Sequence, residues 1–250
     1  PIILAAIVAA VAAAAAAASP AKPHILLVVA DDYGWNDVGY HQNSASSANP
    51  DGKVTTNVAL KTPTLDRLAS EGRKLENYYV QPLCSPTRAT FMTGRYPFHT
   101  GLGPDVICTS CGDPYGLPSR EVLMPALLRE AGYATAAIGK WHLGFYRWEH
   151  TPTFRGFDSY YGYYTGGEDY FSHVAFGGGY DLRHDGSPRC GAGCSRVLWE
   201  ANGTYSTHLF ARRAVELIRA TPKTQKLYLY LATQAVHCPA QAPPEYIAPY

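Results

Sequence analysis

The chain has 250 residues, 46% of them hydrophobic and 16% charged, with a formal net charge of +1. That near-neutral balance, with no basic run, removes the general electrostatic case for a nucleic-acid partner. The length suits one large domain or two small ones, and the composition is that of a soluble globular protein of mixed class.

Residues 1–18 are almost wholly alanine, valine, isoleucine and leucine. A spanning helix needs roughly 20 apolar residues, and alanine is only weakly apolar. Followed by Ser19-Pro20-Ala21, the run reads as the core of a secretory signal with small residues at its cleavage site. An initiator Met and a basic start are absent, so the signal reads as clipped. The expected organisation is a signal over 1–19 and folded chain over 20–250, with no stable membrane span after cleavage.

Residues 24–30 form a short apolar run with β-branched members, as a central parallel strand does. It ends in Asp31-Asp32, two carboxylates that repel unless solvated or neutralised, for instance by a hard divalent cation. Residues 42–60, rich in Ser, Asn, Ala and Gly, read as an irregular loop. A helix is expected from Thr62, with Thr62 as cap and Pro63 in the first turn. Residues 73–80 read as another strand.

That strand feeds Leu83-Cys84-Ser85-Pro86-Thr87-Arg88, the start of a helix with Ser85 as N-cap, Pro86 at the first helical position and Gly94 as stop. Cys84 then sits just outside a helix N-terminus, a place that attracts anions and lowers a thiol's pKa. Arg88 lies one turn along. Residues 104–119 read as a loop holding Cys108 and Cys111, and 121–131 as an amphipathic helix stopped by Gly132. The strand over 133–138 delivers Lys140 and His142, whose i, i+2 spacing puts both on one side of extended chain.

Residues 151–180 are rich in tyrosine and glycine, and serve either core packing and turns or the lining of a sugar or aryl pocket. Residues 183–195 form a polar insertion with Cys190 and Cys194. Asn202-Gly203-Thr204 is a glycosylation sequon, meaningful given a secretory route. A helix over 205–220 and a core strand over 227–232 lead to His237.

Three strand ends thus carry Asp31, Asp32, Lys140, His142 and His237, and parallel strands gather their carboxyl ends where ligands bind. With Cys84 and Arg88, the set pairs a metal-type acidic couple with cationic donors, which suits an anionic tetrahedral group such as a sulfate or phosphate ester. Of the six cysteines, Cys190 with Cys194 and Cys108 with Cys111 are plausible local disulfides. Their spacing also permits a zinc cluster.

Cys84-Ser85-Pro86-Thr87-Arg88 followed by Thr93-Gly94-Arg95 resembles the signature of the type I sulfatases. The likeness continues at 31–39, at 139–144 and around His237. Residues 78–83 and 166–170 are similar to the arylsulfatase B group (N-acetylgalactosamine-4-sulfatase, with arylsulfatases I and J). The resemblance implies an α/β, alkaline-phosphatase-like sandwich with a central, mostly parallel sheet flanked by helices. It implies that a formylglycine-generating enzyme oxidises Cys84 to Cα-formylglycine. One hydroxyl of the formylglycine hydrate would attack the sulfate; after the alcohol leaves, loss of a proton from the other re-forms the aldehyde and expels sulfate. By resemblance Arg88 steadies residue 84, and Asp31, Asp32 and residue 84 bind calcium. Lys140 contacts the sulfate, His142 holds and deprotonates the hydrate, and His237 binds substrate and protonates the leaving oxygen.

The expected substrate is a sulfated glycan or aryl sulfate, in a lysosomal or secreted setting. The rival readings are a phosphodiesterase or phosphonate hydrolase of the wider superfamily, and a non-catalytic secreted glycan-binding relative. The family's Asp-Asn pair and second sulfate-binding lysine follow the His237 motif, and neither occurs before Tyr250. The resemblance therefore implies the amino-terminal part of a catalytic domain. Alone, it is expected to bind metal poorly, to be inactive and to expose surface meant for the remainder. If Cys84 is converted, five cysteines remain, and a partner beyond Tyr250 would fit one of them. Cys238 stands where a polar or acidic residue was expected, and no physical account of it follows from the sequence.

Overall fold

The computed structural model describes residues 22–41, 60–103, 105–107 and 114–248. The expected signal, nearly all of the 42–60 loop, and both Cys108 and Cys111 lie outside the described residues. The centre is a six-stranded sheet of β1 (Ile25–Ala30), β2 (Tyr133–Lys140), β3 (Ser159–Tyr163), β4 (Arg183–Asp185), β5 (Ser195–Val197) and β6 (Lys226–Thr233). Its order is β1-β6-β2-β3-β4-β5. β1, β6, β2 and β3 are parallel, whereas β4 and β5 join antiparallel. The mostly parallel α/β sheet matches expectation.

Period-2 alternation sends successive side chains of each strand to opposite faces. On β6, Tyr228, Tyr230 and Ala232 enter one apolar cluster, while Leu227 and Leu229 enter the other. Among the described residues, four helices of seven or more residues accompany the sheet: α1 (Pro63–Glu71), α2 (Cys84–Thr93), α3 (Met124–Glu130) and α4 (Ser206–Ala220). Ala89 and Met92 of α2, with Met124 and Leu128 of α3, pack on the tyrosine face. Phe210 and Ala214 of α4 pack on the leucine face. Burying a side chain such as Phe210 contributes roughly 1.5–3 kcal/mol, so the two clusters hold helices on both sides of the sheet.

Several expectations are corrected. Among the described residues β1 lies at the edge of the sheet and not at its centre: its partner there is β6 alone, and Leu26 and Val28 are each 54% exposed. Residues 73–80 form no strand; they run as irregular chain with Leu75, Tyr78, Tyr79 and Val80 exposed. Without a neighbouring strand to bond, their β propensity has nothing to act on.

The helix expected over 121–131 begins only at Met124, because Pro125 belongs in a first turn. Thr62 does sit at the N-cap of α1, but its hydroxyl donates to Asp66 Oδ1 and accepts from the Gly39 amide, capping no amide of its own helix. The tyrosine-rich stretch is mainly core: Tyr160, Tyr163, Tyr164 and Tyr170 are buried. Residues 183–195 contain β4 and the turn into β5, closed by a Cys190–Cys194 disulfide with Cα atoms 5.5 Å apart. That bond removes both sulfurs from any zinc cluster.

Candidate active site

The three strand ends do converge. After β6 the chain folds across the end of β1: the Asp31 amide donates to the Ala235 carbonyl at 3.0 Å, and the Val236 amide to the Asp31 carbonyl at 2.8 Å. This brings His237 over the acidic pair, with His237 Nε2 3.8 Å from Asp32 Oδ2. On the other side of β6, β2 ends at Lys140, whose Nζ lies 2.6 Å from Asp31 Oδ2.

Helix α2 supplies the remaining groups, and it starts two residues earlier than expected. Leu83, not Ser85, is its N-cap, so Cys84 is the first helical residue. Ser85 is instead buried, its hydroxyl donating to the His142 carbonyl and accepting from the Ile107 amide, each at 3.1 Å. Gly94 ends the helix in the left-handed conformation at φ 65°, as expected. Arg88 is 2% exposed and bonds in three directions: Asp31 Oδ1 at 3.2 Å, the Lys140 carbonyl at 3.1 Å and the Tyr230 hydroxyl at 3.0 Å.

Ligand atoms of Asp31, Cys84 and His237 all lie within 4.8 Å of one another. Asp31, Asp32, Tyr33, Gln81, Cys84 and Arg88 line a cleft of about 290 Å³.

The charges in this pocket do not cancel. Two buried cations, Arg88 and Lys140, meet one buried carboxylate. Burial alone would raise the Asp31 carboxyl, but Arg88 and Lys140 outweigh it and hold it below its ordinary 3.8. Burial, then the neighbouring Arg88, lowers Lys140. For Cys84, burial opposes ionisation, yet the bond to His237 and the Lys140 charge bring the thiol below its ordinary 9.0. His237 is raised, chiefly by that bond to Cys84. Excess positive charge at a helix N-terminus suits an anion.

His142 is placed differently from expectation. β2 ends at Lys140 and His142 is left-handed at φ 55°, so the two residues do not share one side of extended chain. Asp32 is also left-handed at φ 55°. A non-glycine residue held there costs on the order of 1 kcal/mol, and such strain collects at functional sites. The His142 Nε2 lies 2.9 Å from the Ile107 carbonyl, which only accepts, so Nε2 carries the proton and the buried, unpartnered Nδ1 offers a lone pair. Burial, reinforced by Lys140, lowers this imidazole to about 3. It is the neutral imidazole, donating from Nε2 to the Ile107 carbonyl and leaving Nδ1 able to accept.

The sequence reading missed Ser85, Tyr230 and Tyr170, whose hydroxyl donates to the His237 carbonyl at 2.8 Å. The signal for Tyr230 was the alternation of tyrosine and leucine along β6, which turns Tyr230 toward α2. Asn202 is exposed in the turn before α4. Among the described residues, no helix is long and apolar enough to cross a membrane.

Comparison with known proteins gives the chain's family. The family model described as Sulfatase matches residues 23–250. The chain is similar to arylsulfatase J of Mus musculus, 41% identical over 92% of this chain and 35% of the relative. It is also similar to human N-acetylgalactosamine-6-sulfatase, 31% identical over 89% of this chain and 41% of the relative. Among solved structures it resembles Ps i-CgsB in complex with k-i-k-neocarrahexaose, at 33% identity and TM-score 0.71, over 92% of this chain and 48% of that one. The chain therefore spans less than half the length of these relatives, and its sheet is the α/β, alkaline-phosphatase-like one. With the match running unbroken from β1 past the His237 loop, the chain belongs to the sulfatase family.

Proposed function

We propose that this chain is the amino-terminal part of a sulfuric ester hydrolase that uses formylglycine at position 84 and calcium. Its substrates would be sulfate esters of sugars, of the N-acetylgalactosamine 4-sulfate type, or of aryl alcohols. The observation that carries the reading is the placing of Cys84 at the first position of α2, beside a pocket in which Arg88 and Lys140 outnumber the buried Asp31. The names of the relatives, an arylsulfatase and an N-acetylgalactosamine sulfatase, support the substrate class.

Asp31 and Asp32 fit one part of a calcium site. They are adjacent carboxylates at a strand end, and a hard cation takes six to eight oxygens. The Cys84 sulfur is a poor ligand for such an ion, and conversion to an aldehyde hydrate would replace it with oxygen. Bound there, calcium would neutralise charge on the sulfate group. Lys140 and Arg88 hold the anion's other side and orient residue 84. His142 Nδ1 accepts a proton or hydrogen bond from the hydrate, and His237 delivers a proton to the leaving oxygen. A formylglycine-generating enzyme is the maturation partner, residues 1–19 the signal, Asn202 a glycosylation site, and the destination lysosomal or extracellular.

The test starts with mass spectrometry of the tryptic peptide 75–88 from full-length protein made in a secretory host. The expected result is aldehyde in place of thiol at Cys84. Turnover of an aryl sulfate but not an aryl phosphate diester should accompany it, and Cys84→Ala should abolish both signals. An intact thiol from cells that convert a control sulfatase overturns the reading. Preference for the phosphate diester would identify the phosphodiesterase alternative, and glycan binding without turnover the non-catalytic one.

A further inference from the structure

One aromatic side chain at the rim of this pocket packs into neither apolar cluster. Phe176 is 50% exposed, and its ring lies nearly parallel to the His237 imidazole, with centroids 6.0 Å apart and 23° between the planes. A single exposed phenylalanine needs no explanation by itself. Its position and its support need one.

The loop that carries it is built to hold it there. Residues 168 and 175, and 174 and 180, form antiparallel bridges. Asp169 Oδ1 accepts from the Phe171 and Ser172 amides. Beneath the loop, Glu168 and His173 are wholly buried and paired at 3.1 Å. From the same loop the Tyr170 hydroxyl grips the His237 carbonyl. The Phe176 ring packs so closely on Gly167 that a Cβ there would stand 2.5 Å from Phe176 Cε2 and 3.3 Å from His237 Cε1. A small residue at 167 is what lets the two rings approach. The loop thus fixes His237 through its carbonyl and offers an open aromatic face beside its ring.

We propose that Phe176 is the platform for the alcohol portion of the substrate, and that this subsite takes a ring, a pyranose or an aryl group, by stacking. The proposal rests on the sulfatase reading of the site. If His237 protonates the leaving oxygen, the carbon bearing that oxygen must lie within about 4 Å of the imidazole, given a hydrogen bond of roughly 2.8 Å. The rest of the leaving group then meets Phe176, at the 4.5–7 Å centroid range over which rings stack. A flat apolar face beside a few fixed polar groups is how such sites orient a ligand.

The test compares full-length, formylglycine-bearing enzyme with its F176A, F176L and F176Y variants on an aryl sulfate, a sulfated monosaccharide and a ring-free alkyl sulfate. F176A is expected to raise KM for both ringed esters about tenfold, the factor that roughly 1.4 kcal/mol of stacking supplies. The kcat should stay within about threefold, since the reacting groups are untouched. Inhibition by inorganic sulfate and turnover of the alkyl ester should stay at wild-type levels. F176Y should restore the ringed substrates and F176L, apolar but not flat, should not.

Unchanged KM in F176A, or full rescue by F176L, overturns the platform. Parallel loss of kcat and of sulfate inhibition also overturns it, by showing that Phe176 merely holds the pocket together. A wild type that carries formylglycine yet cleaves none of the three esters overturns the sulfatase reading itself, and the platform with it.

Discussion

Removing the Arg88 guanidinium would strip the donor from three groups at once: the Asp31 carboxylate, the Lys140 carbonyl and the Tyr230 hydroxyl. Breaking one side of a buried charged cluster costs roughly 3–5 kcal/mol, because the partners stay buried without their bonds. Arg88→Ala should therefore lose about that much stability in urea unfolding. Arg88→Lys should recover only part, since an ammonium cannot reproduce the guanidinium's spread of donors. Asp31, Lys140 and His237 were legible in the sequence, because ionisable residues following apolar runs are conspicuous, and Cys84 was legible from the helix-start residues beside it. Ser85, Tyr170 and Tyr230 were not, because a hydroxyl's role depends on which distant strand or loop faces it. Tyr230 meets Arg88 across 142 positions of chain.

A second residue-scale expectation concerns Glu168, where burial raises the carboxyl from its ordinary 4.5 to about 7 and outweighs the bond from His173. Its Oε2 is buried without a partner. A folded-state value above the unfolded one means that its contribution to stability is fully present below about pH 4.5 and lost as pH rises through about 7. Over that window Glu168 should cost on the order of 1–3 kcal/mol. Glu168→Gln, which cannot ionise, should flatten the dependence of urea midpoint on pH between those limits. An equally steep dependence in the variant would assign it to other groups.

Among the elements, β2 depends on a glycine. Gly139 has φ +97°, and a Cβ on it would overlap the Ala232 carbonyl of neighbouring β6. Gly162 on β3, its partner in register, would in turn overlap the Gly139 carbonyl if it carried a Cβ. Three strands therefore approach one another closely just before Lys140. Gly139→Ala should cost about 4 kcal/mol or more, from left-handed strain plus separation of β2 from β6, or prevent folding. Loss of soluble protein or a sharply lower Tm is the measurement. The helices and strands that were read correctly have strong local signals: β6 alternates apolar groups, and α4 carries Leu209, Phe210, Ala214 and Leu217 toward the sheet. The misread ones lacked a local signal for what decided them. Among the described residues, 73–80 have strand-like composition but no strand to pair with, and β1 has a run apolar on both faces yet lies at the sheet's edge.

At the scale of the whole molecule, that run has a consequence. Leu26 and Val28 project from β1 with 54% of their surface exposed, beside Leu65 and Leu68 of α1 at 42% and 54% and Leu75 at 69%. Apolar residues around a strand whose outer edge has no partner among the described residues favour association. The chain also covers only 35% and 41% of the two curated relatives' lengths. Both observations agree with a face that further chain covers in a full-length protein. The same substitution should then act in opposite directions in the two contexts. In residues 23–250 alone, Val28→Lys should reduce concentration-dependent association, seen as a smaller hydrodynamic size at high concentration with little change in Tm. In the full-length protein it should bury a charge and cost roughly 2 kcal/mol or more, lowering Tm by several degrees. Equal effects in both contexts would mean that β1 keeps an open edge throughout.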